Sequence, residues 1–214
     1  MENGRPNLRE RRRAETQRTI QAHAMRLFAE RGYDATTVND VAHACGVSAM
    51  TVYRHFPTKE DLVLHGRYDS LIAARVAARP AGEPPVRRVG LALVEAARVL
   101  TGPGVDLLLA RLRLMTDTPA LRARHLDGQL ATQRAIVAAL PAEPDDAEAG
   151  FRTWVVAGAC LAALHAALTR WAQEDGRQDL PGLIATALGA AFGGDFDPDT
   201  DPDQDTDTAP GTVA

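Results

Sequence analysis

Residues 36–61 read TTVNDVAHACGVSAMTVYRHFPTKED, and this stretch predicts two short helices joined by a tight turn. Thr37 can cap the first helix, because a side-chain oxygen at that position accepts a hydrogen bond from an amide that has no partner within the helix. Asp40 falls three residues later, in the first turn, where a carboxylate is favoured. Gly46 can end this helix in the left-handed conformation, and Ser48 can cap the second helix.

Each of the two short helices has one apolar side. In the first helix, four apolar residues recur at helical spacing, namely Val38, Val41, Ala42 and Cys45. In the second, Val52 and Phe56 lie one turn apart and point inward with Val47. Six residues of the second helix are expected to face outward: Ala49, Met50, Thr51, Tyr53, Arg54 and His55. Pro57 stops this helix and Thr58 can cap the next. The pattern is typical of a helix-turn-helix that reads DNA.

The segment VSAMTVYRHFPTKEDL, residues 47–62, resembles the recognition helix and following cap of the tetracycline-repressor (TetR) family of bacterial transcription regulators. The upstream residues that agree with that family are Leu27, Phe28, Gly32, Tyr33, Thr36, Thr37, Val38, Val41, Ala42, Gly46 and Val47. The resemblance implies an all-α protein with a three-helix DNA-binding domain over residues 10–70. It also implies a helical domain over residues 71–194 that binds an effector and forms a homodimer.

The resemblance assigns candidate contacts to double-stranded DNA. Tyr53, His55 and Lys59 stand like the phosphate-contacting positions of the family, and Lys59 is the only lysine of the chain. Met50 and Ala49 suit contact with thymine methyl groups, while Arg54 could bind guanine or a phosphate. For Tyr53, packing in the core is the alternative. The expected DNA-binding set is Thr37, Ser48, Ala49, Met50, Thr51, Tyr53, Arg54, His55 and Lys59.

The charge is distributed unevenly along the chain. The formal net charge is -4, but the last 20 residues hold seven aspartates and no lysine or arginine, so the remainder is net positive. We expect residues 195–214 to be disordered, because alternating aspartates cannot bury a core. One hypothesis is that this tail competes with DNA for the basic arm at residues 1–13. That arm can add phosphate contacts, and its alternative is a solvated run of charge.

Helical patterns separated by glycine and proline fill most of the chain. A first helix is predicted from Arg9 to Arg31, with Ile20, Ala24, Leu27 and Phe28 buried, and a fourth from Thr58 to Ala78. Five more are predicted over residues 86–100, 105–116, 119–140, 147–173 and 180–192. Small residues are abundant between Phe151 and Trp171, so we expect this helix and Leu183 to Phe192 to form the dimer interface. The alternative is burial within one subunit.

The candidate effector pocket is mostly apolar with a few polar groups, as ligand cavities tend to be. Its predicted residues are Leu108, Leu112, Met115, His125, Gln129, Trp154 and His165. The segment at residues 111–140 also resembles the regulatory domain of mycofactocin-associated regulators, some of which respond to acyl-coenzyme A. A small hydrophobic or amphipathic effector that releases the protein from a palindromic operator is therefore expected.

Other classes of function have little support in the sequence. Cys45 and Cys160 are expected to be buried free thiols, and no cluster with metal-ligand spacing occurs, so neither a metal nor another cofactor is expected. The apolar run from Trp154 to Leu168 is shorter than the ~20 residues of a membrane span, and no secretory signal is present, which favours the cytoplasm. An all-helical enzyme is one rival, although no catalytic motif supports it. A DNA-binding or interaction module without ligand control is the second.

Overall fold

The computed structural model describes residues 8–64, 68–140 and 147–196, and these contain ten helices and no strand. Their bounds are α1 Leu8–Arg31, α2 Val38–Cys45, α3 Ala49–His55, α4 Asp61–Leu64, α5 Tyr68–Ala78, α6 Pro85–Arg98, α7 Pro103–Asp117, α8 Pro119–Ala139, α9 Ala147–Gln173 and α10 Leu180–Phe192. The predicted all-α fold is confirmed. The fourth predicted helix is seen as α4 and α5, and the residues between them lie outside the described part of the chain.

The chain forms two compact units that are not continuous in sequence. The first combines the described residues of Met1–Gly66 with Asp106–Leu126, and the second combines those of Arg67–Val105 with Asp127–Ala214. The predicted division near residue 70 places all of α7 and α8 in the second domain. By contacts, however, most of α7 and the first turns of α8 belong with the helix-turn-helix.

The core of the first unit is built from α1 to α4 and one residue of α8. The predicted stripe of α1 is fully buried, and it meets Val41, Val52 and Phe56. The side chain of Leu121 from α8 completes this core. Thr36 is buried beside it and satisfies its hydroxyl by donating to the carbonyl oxygens of Leu27 (3.3 Å) and Gly32 (2.9 Å). The apolar spacing of the sequence therefore predicts the α1 to α3 part of this core correctly.

The second unit packs α9 and α10 together, with α6 against both and α5 against α6. Arg88 of α6 is buried and donates to the carbonyl oxygens of Val76 (3.0 Å) and Arg79 (3.3 Å) at the end of α5. By length and composition alone, helix α9 is long and apolar enough to cross a membrane. The apolar run predicted from Trp154 to Leu168 is only part of this helix. In this unit it buries Cys160 and Trp171, among others, against its neighbours.

Phe196 folds back onto the second unit. It belongs to the segment predicted to be disordered, yet its side chain is buried against Gly90 of α6 and lies 6.4 Å, centroid to centroid, from the ring of Phe192. The backbone carbonyl of Asp195 accepts a hydrogen bond from Arg87 (3.0 Å). The first two residues of the predicted tail are therefore ordered parts of the fold, and the rest of the tail lies outside the described residues.

Candidate nucleic-acid interface

The capping of α2 is reciprocal, as its sequence predicts. The backbone N–H of Asp40 donates to Thr37 Oγ1 (3.1 Å), and the backbone N–H of Thr37 donates to Asp40 Oδ2 (2.8 Å). The Thr37 hydroxyl also donates to Asp40 Oδ2 (2.5 Å), and this hydrogen bond, followed by the one from the Thr37 backbone N–H, holds the pKa of Asp40 below its usual value. Gly46 ends the helix with φ +67°, a left-handed conformation that turns the chain toward α3. Glycine adopts this conformation without strain because it has no Cβ.

Helix α3 is divided between a buried and an exposed side. Ser48 caps it by accepting from the backbone N–H of Thr51 (3.1 Å), and the two hydroxyl oxygens lie 3.0 Å apart. Val52 is fully buried, whereas Met50 is 74% and Tyr53 is 46% exposed. Because nearly half of the Tyr53 side chain is exposed, the alternative that this residue packs in the core is not favoured. The outward side of α3 is therefore available to a partner.

Ala49 does not face outward as expected. Its side chain is half-buried and packs against the core of the first unit, together with Val47 of the turn. The small methyl group at the start of α3 therefore contributes to the packing of the first unit. Met50 and Arg54 are left as the exposed side chains best suited to base edges.

A second capping box follows α3 and surrounds the only lysine. The backbone N–H of Thr58 donates to Asp61 Oδ2 (3.0 Å), and the backbone N–H of Asp61 donates to Thr58 Oγ1 (3.2 Å). Lys59 Nζ lies 4.2 Å from the centroid of the Tyr33 ring, and the Tyr33 hydroxyl donates to Glu60 (3.2 Å). Burial, followed by the charge of Glu60, raises the pKa of Tyr33 above its usual value. The lysine is thus held at a defined place on the surface.

His55 ends α3 beside two arginines. Its Nδ1 atom is buried without a hydrogen-bond partner, and burial lowers the pKa of the imidazole, followed by the charges of Arg54 and Arg13. Arg13 belongs to the predicted basic arm, but residues 8–13 are helical and form the start of α1. Arg13 is therefore a candidate contact that the sequence reasoning did not single out. Residues 1–7 of the arm lie outside the described residues.

The predicted effector residues do not lie in one compact unit. Leu108, Leu112, Met115 and His125 belong to the first unit, while Gln129, Trp154 and His165 belong to the second. Met115 packs against the helix-turn-helix core, and His165 is exposed. Sequence reasoning missed Gln133 of α8, whose amide donates to the carbonyl oxygen of Trp154 (2.8 Å). Gly158 makes this approach possible, because an added Cβ would lie 2.8 Å from the Gln133 Nε2.

The thiols and acidic side chains of the described residues do not form a metal site. No group of three His, Cys, Asp or Glu residues there could hold a metal ion. Cys160 is buried as expected, and burial raises the pKa of its thiol to about 12. Cys45 is only half-buried, and burial also raises its pKa. Both cysteines are free.

Two capped helices joined by a left-handed glycine, with one helix presenting polar side chains outward, define a helix-turn-helix DNA-binding protein. A model of bacterial regulatory proteins of the tetR family matches residues 20–65, and a model of the MftR C-terminal domain matches residues 83–193. The second match alone covers more than half of the chain. The chain belongs to the TetR family of transcription regulators.

Curated relatives agree with this family. The chain is 37% identical over 128 residues to the transcriptional regulator TcmR of Streptomyces glaucescens, an alignment that covers 56% of this chain and 57% of TcmR. It is 39% identical over 66 residues to the transcriptional repressor KstR2 of Rhodococcus jostii, with 26% of this chain and 32% of KstR2 covered. The chain thus spans little more than half the length of TcmR and about a third of KstR2.

Solved structures share the fold over most of the chain. A TetR-family regulator from Streptomyces coelicolor matches with a TM-score of 0.54 at 20% identity, covering 89% of this chain and 97% of that one. FadR from Bacillus subtilis, solved in complex with stearoyl-CoA, matches with a TM-score of 0.52 at 17% identity, covering 82% and 98%. At these identities the likeness establishes the fold alone.

Proposed function

We propose that this chain is a transcriptional repressor whose homodimer binds a palindromic operator in the cytoplasm and has no catalytic activity. The observation that carries the proposal is the division of α3, which buries Val52 and leaves Met50, Tyr53 and Arg54 exposed beside a capped turn. In a two-fold dimer, two such helices read half-sites about 34 to 36 Å apart. The relative KstR2 is a named repressor, which supports repression over activation.

Each candidate DNA-binding side chain has a role that its chemistry suits. Lys59 and Arg13 supply positive charge for phosphates, and Tyr53 and His55 supply polar hydrogens for phosphate oxygens. Arg54 can reach a guanine edge or a phosphate, and Met50 can contact a thymine methyl group. Thr37, Ser48 and Thr51 lie at the first turns of α2 and α3, where free backbone amides favour an anion. Ala49 contributes packing more than contact.

The dimer interface is proposed on the exposed side of α9 and on α10. Phe151 is 63% and Val155 is 49% exposed, and exposed Ala162 and Ala166 continue the same apolar stripe. Burying such a stripe against a second copy removes apolar surface from water. Trp171 is buried within its own subunit, so the proposed interface ends before it.

The effector is proposed to be a small hydrophobic or amphipathic molecule bound by the second unit. Acyl-CoA esters are the first class to test, because the C-terminal residues match the MftR domain and FadR of the same fold was solved with stearoyl-CoA. A coupling of 1 to 3 kcal/mol would weaken DNA binding about 5- to 150-fold. A thermal shift and DNA release by stearoyl-CoA would support this class, whereas a module without ligand control would show neither across a metabolite series.

The test of the DNA-binding proposal uses a duplex selected from a random library by the full-length protein. Binding to this duplex is measured at two salt concentrations in an excess of unrelated DNA. We expect Lys59→Ala and Arg54→Gln to weaken binding, whereas Arg134→Gln should leave it unchanged because Arg134 is an exposed residue of the second unit. Binding that unrelated DNA abolishes, or that all three variants weaken equally, would contradict the proposal.

A further inference from the structure

Helix α8 begins on the DNA-binding unit, although it lies far outside the helix-turn-helix in sequence. Leu121, in its first turn, is fully buried in the core that α1 to α4 form. Four residues of α7 pack against the same core, namely Leu107, Ala110, Leu114 and Met115. The start of α8 is therefore fixed relative to the helix-turn-helix of α2 and α3, which we call the reading head.

Arg124 lies one turn after Leu121 and on the same side of α8, since residues three apart share a helix face. Its Nη2 atom is 3.8 Å from Oδ1 of Asp61, whose side chain is 16% exposed. The other carboxylate oxygen of Asp61 accepts the backbone N–H of Thr58 in the capping box after α3. One carboxylate thus faces α8 with one oxygen and orders the turn with the other.

Lys59 lies within this capping box, between the two residues that close it. Negative charge lies near Tyr33, the aromatic neighbour of this lysine: the Tyr33 hydroxyl donates to Glu60 (3.2 Å), and the charges of Asp34 and Asp61 also act on that tyrosine. A phosphate approaching Lys59 meets the repulsion of these negative charges. The guanidinium of Arg124 offsets the charge of Asp61 and restrains its carboxylate.

We propose that Arg124 is a positioning residue for DNA binding, which acts from α8 by holding Asp61 and with it the turn that presents Lys59. The proposal rests on the proposed function, in which Lys59 binds a phosphate. Arg124 itself need not touch DNA. The contribution of Arg124 to DNA affinity is small for each reading head, because its ion pair with Asp61 is partly exposed. The proposed dimer contains this ion pair twice.

The experiment measures the affinity of full-length variants for the selected duplex. Arg124→Gln should weaken binding about three- to sevenfold, which corresponds to a modest effect in each of two heads. Arg124→Lys should recover most of the loss, because an ammonium group also offsets Asp61. The control is Arg134→Gln, which makes the same change of charge on an exposed position of the same helix. Thermal unfolding of each variant separates a folding defect from a binding defect.

A double-mutant cycle with Lys59→Ala decides between positioning and direct contact. If Arg124 acts through Lys59, Arg124→Gln should change affinity less than about 1.5-fold once the lysine is gone. Effects that multiply in the double variant, or an Arg124→Gln variant that binds like Arg134→Gln, would overturn the proposal while leaving the proposed function intact. A wild-type protein that selects no duplex would overturn both.

Discussion

Gly90 of α6 should not tolerate a side chain while Phe196 is docked. A Cβ added at Gly90 would lie 2.5 Å from Cε1 and 2.6 Å from Cδ1 of Phe196, and 3.3 Å from Cδ1 of Leu188. The first two distances are too short for a contact between carbon atoms that are not bonded to each other. Because Phe196 follows α10 on a short segment, we expect Gly90→Ala to expel the ring rather than to break α6.

The size of the effect follows from two opposing contributions. Loss of the buried Phe196 side chain costs about 1.5 to 3 kcal/mol. Alanine in place of glycine inside a helix raises the free energy of unfolding by about 0.5 to 1 kcal/mol. Gly90→Ala should therefore destabilise the second unit by about 0.5 to 2.5 kcal/mol. In a Phe196→Ala background the clash is absent, and the same substitution should stabilise by about 0.5 to 1 kcal/mol.

Urea unfolding followed by tryptophan fluorescence measures this effect. Trp154 and Trp171 are the only tryptophans and both belong to the second unit. Protein concentration is kept constant, because the proposed dimerisation would add to apparent stability. The control is Gly128→Ala in α8, where nothing lies within 4 Å of an added Cβ, so that variant should be stabilised. If Gly90→Ala destabilises equally with and without Phe196, the ring is not the cause and the reasoning is refuted.

Three further results are expected. Thr37→Ala should destabilise the first unit by about 1 kcal/mol in thermal unfolding because α2 loses its cap, and an unchanged midpoint would contradict this. The raised pKa of Cys160 and its burial should prevent reaction with an aromatic disulfide reagent at about pH 8 until the protein is denatured, so rapid labelling of the folded chain would be inconsistent with the structure. Burial and nearby cations lower the pKa of His55 in the free protein, whereas a phosphate favours the imidazolium. DNA binding should therefore take up a proton, and affinity should rise as the pH falls from about 7.5 to about 5.5 but not in His55→Gln.

Local interactions made the reading head predictable from the sequence. The capping residues of α2 and α3 act on amides within three positions, so the residue types at Thr37, Asp40 and Ser48 are sufficient evidence for them. The apolar spacing in α1 and α2 likewise identifies the core side of each helix. The identity of the DNA contacts stays a prediction, because exposure of a side chain does not establish what binds it.

Contacts between distant parts of the chain were not predictable in this way. The sequence shows that Leu121 and Met115 are apolar residues of predicted helices. It does not show that they pack into the helix-turn-helix core. The docking of Phe196 depends on the missing side chain of Gly90, more than a hundred positions earlier. Gln133 appears in sequence as an ordinary polar helix residue, and nothing in that pattern indicates that its amide donates to the backbone of Trp154 beside Gly158 on α9.

The discontinuity of the first unit has a consequence for synthesis. Leu62 and Val63 are made long before Leu121, which shares their core. A ribosome that adds about 5 to 20 residues per second needs roughly 3 to 12 seconds to make the intervening stretch. Throughout that interval the newly made helix-turn-helix exposes the apolar surface that Leu121 covers in the folded protein. During this period a chaperone that binds apolar surface could bind the newly made helix-turn-helix.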